Sequence, residues 1–292
     1  IPPSVISIGD MTFSHCSRLE SIILPSSLIT IGNSAFSHCS NLKSIITPDA
    51  VAYIGKKAFY HCINLKTIEL TSNLQTIGES AFTYCSSVTS ITIPIGLASM
   101  RRCLFSYCTK LTSISIPHHV KVIEKYAFFY CSNLKSISIP STVTLIRSYA
   151  FANCYNIQMI IIPSSVVKIG KFAFSRCYKL ESIIIPSNVA SIGESAFSFC
   201  SNLRNFVIPK NVRLIRDSLF SHCSKLTSIA IPTNITSIEC SAFNECYNLT
   251  TITIETNCCQ NSESENNQMN KLLEFIKQNF TKIEISIHSL QY

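Results

Sequence analysis

Proline returns every 23 residues, at Pro2, Pro25, Pro48, Pro94, Pro117, Pro140, Pro163, Pro186, Pro209 and Pro232, with Thr71 standing in the one vacant place. A column of cysteines from Cys16 to Cys246 keeps the same beat, and a phenylalanine precedes each by three residues, from Phe13 to Phe243. Eleven copies follow one another without insertion or deletion. A fixed period of about 20 to 50 residues is the mark of units that stack, each burying its apolar side against its neighbours alone. The 292 residues are therefore read as one elongated body rather than one or two globular domains.

Two apolar periods coexist in each copy. Ile114 and Ile116 alternate with Ser113 and Ser115, the spacing of a short strand with one buried side, and Pro117, having no N–H to donate, stops it. From Ile123 the apolar positions fall at Ala127, Phe128, Cys131 and Leu134, a spacing of three or four that predicts a helical or 3₁₀ return arm. Gly9, Gly32, Gly55, Gly78, Gly170 and Gly193 share a site with Arg101, Glu124, Arg147, Arg216 and Glu239. Arg and Glu resist positive φ, so the site is expected to have ordinary backbone angles and the glycine to open the helical arm. The predicted class is an α/β solenoid: an arc with a continuous parallel sheet on its concave face and short helical or 3₁₀ turns on its convex face. Residues 1–254 form the eleven repeats.

Residues 255–292 leave the beat and are expected to form a cap of polar loop, short helix and final strand. Leu272, Leu273, Phe275, Ile276 and Phe280 suit one helical face. Phe280, Ile283 and Ile285 repeat the Leu249, Ile252, Ile254 pattern 31 residues on, predicting a twelfth strand. The N-terminus has no such device, so an edge strand around Ile22 is expected to lie open to another chain, a route to an oligomer. The chain begins at Ile1, at the Ile-Pro that elsewhere closes a unit, which predicts a fragment or processed form from which a signal peptide or anchor could have been lost. No run of 18 apolar residues is present, and no membrane insertion is expected of the visible chain.

The unit Leu-x-x-Ile-x-Ile-Pro-x-x-Val-x-x-Ile-Gly-x-x-Ala-Phe-x-x-Cys-x-x-Leu resembles the 23-residue BspA-like leucine-rich repeat over residues 1–254. Members of that family are often surface or secreted proteins of host-dwelling microbes, several acting as adhesins. The resemblance implies a non-enzymatic scaffold binding a host or matrix protein at the cell surface or after secretion. It transfers no functional residue, because the shared motif consists of core and turn positions. An intracellular interaction scaffold on the same fold stays open, in keeping with the many unpaired cysteines.

Chemistry finds little foothold. The eleven in-beat cysteines share one apolar slot and are read as packing, and a spacing of 23 fits no zinc signature. Off the beat, Cys258 or Cys259 could pair with Cys240 in an oxidising compartment. His15, His38 and His61 share a position taken later by Tyr84, Tyr107, Tyr130, Asn153, Arg176 and Phe199, which suits an exposed stripe better than a metal site. No metal or other cofactor is expected. Gly78-Glu79-Ser80 and Gly193-Glu194-Ser195 lack the second glycine of a nucleophile elbow. Asn234, Asn248 and Asn279 begin glycosylation sequons, which matter only in an exported chain.

Binding is sought at the outward positions of the strands. One row is almost all hydroxyl and is broken by Met159 and Asn205; the other varies and contains Ile161, Ile184 and Val207. Met159, Ile161, Ile184 and Val207, extended by Tyr155 and Tyr178, form the leading candidate for a concave protein-binding patch. The formal charge is +8, and residues 1–254 carry 21 Lys and Arg against 11 Asp and Glu. Arg101, Arg102, Lys125, Arg147, Lys171 and Arg216 fall in a convex band that suits solvated surface or an anionic glycan; nucleic acid is not expected.

Overall fold

The structure, a computed structural model, describes residues 1–239, 241–257, 270, 273–274, 276 and 284–290. Each repeat lays down one coil, and most coils carry two short strands. The first strands, Ser113–Ser115, Ser136–Ser138, Met159–Ile161 and Ser182–Ile184, pair in parallel, Ile114 beside Ile137 and Ile160 beside Ile183. Their central isoleucines are buried and both flanking residues exposed, as a pleat with one core side requires. The second strands have two residues each, among them Ser99–Met100, Val122–Ile123, Leu145–Ile146, Lys168–Ile169 and Ser191–Ile192, and build a second parallel ladder.

The expected helical arm is not there. Ile123, predicted to begin it, lies in a strand, and the Ala-Phe-x-x-Cys segment is a series of turns with two positive-φ residues four positions apart, such as Tyr126 at 62° and Tyr130 at 60°. Backbone amides explain why. In the third coil Lys57, Phe59 and His61 donate to Glu79, Ala81 and Thr83 of the next coil, while Tyr60 and Cys62 donate three residues back to Lys57 and Phe59. A helix would turn every amide inward. Here alternate amides point along the stack, and a spacing of three or four arises from kinked turns. Nor does the repeated glycine open a helix, although the expectation of ordinary φ there was right, since no glycine has positive φ.

Those turns bury the largest side chains. Phe13 to Phe243 form one column of parallel rings, with centroids 5.2 Å apart at Phe13–Phe36 and 5.9 Å at Phe197–Phe220. Stacked pairs of this kind contribute about 0.5–1.5 kcal/mol beyond area burial. Each cysteine of the beat beyond Cys16 lies one coil from the backbone of a phenylalanine and donates its thiol to that carbonyl, as Cys62 does to Phe36 at 3.1 Å.

The sheet is not continuous. Among the described residues, strand pairing lapses in both ladders between the coils of Thr67–Glu69 and Ser90–Thr92, and again between those of Ser182–Ile184 and Asn205–Val207. The cause lies in four residues. A Cβ built on Gly55 would sit 2.5 Å from Asn33 N and Gly32 C, so glycine lets successive coils approach closely. At the two lapses Gly78 is followed by Arg101 and Gly193 by Arg216, while Ala81 gives way to Leu104 and Ala196 to Leu219. Bulk at the glycine site alone leaves pairing intact, as at Glu124 and Arg147; the strands part only where Leu104 and Leu219 add bulk at the second slot as well, and turn bonds such as Phe82 to Leu104 and Phe197 to Leu219 join the coils there.

The ends also differ from expectation. Residues around Ile22 are not in strand, so they form no open edge strand; the first strand is Ser7–Ile8 of the second ladder. At the other end Glu284–Leu290 pairs with Thr251–Asn257, setting Ile285 beside Ile252 and Ile287 beside Ile254. A twelfth strand therefore exists, but two residues out of the anticipated register. Ile276, in the helical segment before it, is buried. The rest of the expected cap lies outside the described residues.

Candidate interaction surface

Successive first strands expose two rows of side chains. From Ser90 to Ser138 both rows carry hydroxyls; beyond them one row becomes apolar at Ile161, Ile184 and Val207, while the other takes Met159 and returns to polar residues at Ser182 and Asn205. At this change lies an open groove of about 640 Å³, floored by Ser113, Ser115, Ser136 and Ser138 and bounded by Met159 and Ile161. No charged side chain lines it. Ile161 and Ile184 are paired neighbours, 70% and 81% exposed, although β-branched residues this bare gain nothing from the core. Val207 continues the row at 56% exposure, across the second lapse in pairing. Ile23 and Ile46 are exposed on the same row nearer the N-terminus.

Tyr155 and Tyr178 are half-buried where the chain runs toward Met159 and Ser182. They stack on each other at 5.0 Å, and Tyr155 meets Tyr130 edge-on at 5.4 Å. They thereby continue a column that begins with His15, His38 and His61, stacked at 4.5 and 4.8 Å, and proceeds through Tyr84, Tyr107 and Tyr130. The 23-residue recurrence of His and Tyr was the sequence signal for it; what the sequence did not show is that the rings cover one another's faces. Burial pushes the phenols of Tyr107 and Tyr155 above their ordinary range, with neighbouring tyrosines adding to the shift. Burial lowers His38, helped by His15 and His61 on either side. Among the described residues no three His, Cys, Asp or Glu side chains are grouped to hold a metal ion.

The cationic band lies beside the second ladder and in the turn after it. Arg147 is paired with Glu124 at 3.1 Å and Lys171 with Glu194 at 2.7 Å. Arg101, Arg102 and Lys125 are exposed and Arg216 is half-buried; none of these four makes an ion pair among the described residues. Tyr126, Tyr149 and Phe172 stack between these coils at 4.8 and 4.7 Å.

Burial drives the thiols of the cysteine column upward, to about 11 at Cys39 and about 12 at Cys108, so they are protonated and inert at neutral pH. Cys240, Cys258 and Cys259, named for a possible disulfide, lie outside the described residues, as does Asn279. The side-chain amides of Asn234 and Asn248 donate to the carbonyls of Lys210 and Ser224 in the preceding coil. No helix among the described residues is long and apolar enough to cross a membrane.

Comparison with known proteins gives a consistent picture. The family description "BspA type Leucine rich repeat region (6 copies)" matches residues 1–112, 98–226 and 167–289. A leucine-rich repeat protein from Bacteroides ovatus is 26% identical with a TM-score of 0.60, over 99% of this chain and 82% of its own. The pneumococcal vaccine antigen PcpA shares the fold at 22% identity and a TM-score of 0.58, over 99% and 78% of the two chains. A leucine-rich cell surface protein from Faecalibacterium prausnitzii aligns at 28% identity and a TM-score of 0.49, over 92% and 89%. No curated protein matches the chain.

Proposed function

The chain belongs to the BspA-type leucine-rich repeat family, and from that premise we propose that it is a non-enzymatic protein-binding module, displayed at a cell surface or secreted, that grips a host or matrix protein on its first-ladder face. The observation carrying this reading is the uncharged groove beside Met159, Ile161 and Ile184. Hydroxyls at one end can bond the backbone of an extended segment, and the apolar row at the other can bury its side chains. Val207 lengthens the apolar end, and Tyr155 and Tyr178 flank it with rigid rings, the residue type that anchors interfaces. An exposed apolar row costs solubility, and a covering partner is the usual reason for keeping one.

Binding to a panel of purified extracellular-matrix proteins, measured by surface plasmon resonance, tests this. The triple variant Ile161→Asp, Ile184→Asp, Val207→Asp should abolish binding while the melting curve stays in place, because all three side chains already face solvent. Binding that survives the triple change rejects the groove as the site.

A further inference from the structure

A second surface, on the other ladder, points to a different partner. From Ser80 to Leu180 the chain carries Glu124 as its one acidic residue against eleven lysines and arginines. The fold does not scatter these charges. The carbonyls of Arg102, Lys125 and Lys171 accept from the turn amides of Ser80, Cys103 and Tyr149, which fixes the three residues at equivalent positions of their coils. Arg101 follows the strand Ser99–Met100, Lys121 precedes Val122–Ile123, and Lys168 lies in Lys168–Ile169. All six side chains are exposed. The single acid of the region is taken by Arg147, and of the six only Lys171 has an ion-pair partner among the described residues, Glu194. Cations one coil apart are spaced by about 5 Å, the separation of neighbouring strands. The result is a strip of like charge running along the stack, in which five of the six cations have no ion-pair partner among the described residues.

We infer that this strip is a binding site for a linear anionic polysaccharide, one carrying sulfate or uronate groups at regular intervals. Arg102, Lys125 and Lys171 repeat by whole coils, with Ser148 in the intervening place, so a polyanion with charges at regular intervals can meet them in turn. The rings interleaved with the strip argue against a nucleic-acid strand. Such strands are held by bases stacking on open aromatic faces, whereas Tyr126, Tyr149 and Phe172 lie 4.7–4.8 Å apart and within 11° of parallel, their inner faces closed to any base. What these rings supply instead is rigidity. They fix the turns from which Lys125 and Lys171 project, so less side-chain order is lost on binding.

The test uses the full chain and a heparin dodecasaccharide as probe, with neutral dextran, single-stranded DNA and phosphatidylserine vesicles alongside, by calorimetry over a range of salt. Heparin should bind and weaken steadily as salt rises, and dextran should not bind. Arg101→Glu, Arg102→Glu and Lys125→Glu together should weaken heparin by at least about tenfold, three exposed ion contacts being worth up to ~1 kcal/mol each, with an unchanged melting temperature. An equal charge change elsewhere, Lys66→Glu, Lys210→Glu and Lys225→Glu, should cost far less. Failure to bind heparin at low salt overturns the inference, as does equal loss in the two triple variants, which would reduce it to general charge attraction. Tighter binding of DNA or of the vesicles overturns the assignment to a polysaccharide. The Ile161→Asp, Ile184→Asp, Val207→Asp variant should keep its heparin affinity, so this site and the groove stand or fall separately.

Discussion

The thiol of Cys131 donates to the carbonyl oxygen of Phe105, 3.1 Å away and 26 residues earlier in the chain. Equivalent bonds run from Cys39 with Phe13 to Cys246 with Phe220, so a residue chosen for its small apolar volume also satisfies a buried backbone acceptor of the coil before it. Cys131→Ala removes both the packing and the donor and should cost about 1–3 kcal/mol in urea unfolding. Cys131→Ser keeps a donor and should lose less. If alanine proves harmless, the bond has no weight.

Alkali should unfold the protein through the same column. An ordinary thiol titrates near 9.0, and burial holds Cys108 at about 12. The folded state thus keeps protons that the unfolded chain releases; the stability these thiols contribute is complete below pH 9 and is lost as pH rises from 9 toward 12. The loss is about 1.4 kcal/mol per thiol per pH unit in that window, multiplied along the column. Circular dichroism at increasing pH should show cooperative unfolding beginning above pH 9, and Cys108→Ala should make its onset shallower. A fold unchanged at pH 11 contradicts this.

Acid should act at the N-terminal end of the molecule. His38 is stacked between His15 and His61, and burial and those neighbours lower its proton affinity below the ordinary 6.5. A lowered base is neutral when folded. Its contribution is present above pH 6.5 and lost as pH falls through the folded value. Hydrogen exchange at the amides of residues 11–40 should quicken as pH falls below 6.5. His38→Tyr, which borrows the residue that Tyr84 and Tyr107 supply later in the column, should abolish the acceleration.

Glycine should be costly to replace at Gly55, where the preceding coil lies against it, and easily replaced at Gly9, where no coil does. In Gly55→Ala the new methyl would meet Asn33 N and Gly32 C at 2.5 Å, a clash with backbone that should cost about 1–3 kcal/mol. In Gly9→Ala it would meet only Thr12 Oγ1 at 3.4 Å, and the change should be neutral or slightly stabilising. Thermal melts of the two variants decide it.

The stack of coils, the buried isoleucine rows and the packing role of cysteine were legible because each depends on a repeated side chain. The return arm was misread because apolar spacing cannot distinguish a helix from turns in which Tyr126 and Tyr130 take left-handed angles; the difference lies in where backbone amides point. The lapses in pairing were visible as Arg101 with Leu104 and Arg216 with Leu219, but their meaning depended on knowing that Gly78 and Gly193 lie against a neighbouring backbone. Both candidate surfaces follow from alternation and charge, which the sequence carries directly. The edge column of His and Tyr was recognised as a stripe, yet its closed ring faces are a matter of geometry.

The two lapses in strand pairing lie five repeats apart, and they divide the stack into three stretches of coil joined chiefly by their turns. Were the chain pulled from its two ends, the load would fall on the boundaries marked by Arg101 with Leu104 and Arg216 with Leu219, and force spectroscopy should find the coils parting there before any within a stretch. The groove and the cationic strip lie together in the middle stretch, with Val207 alone across the second boundary, so most of both candidate surfaces would ride on one stiff block while the ends give way.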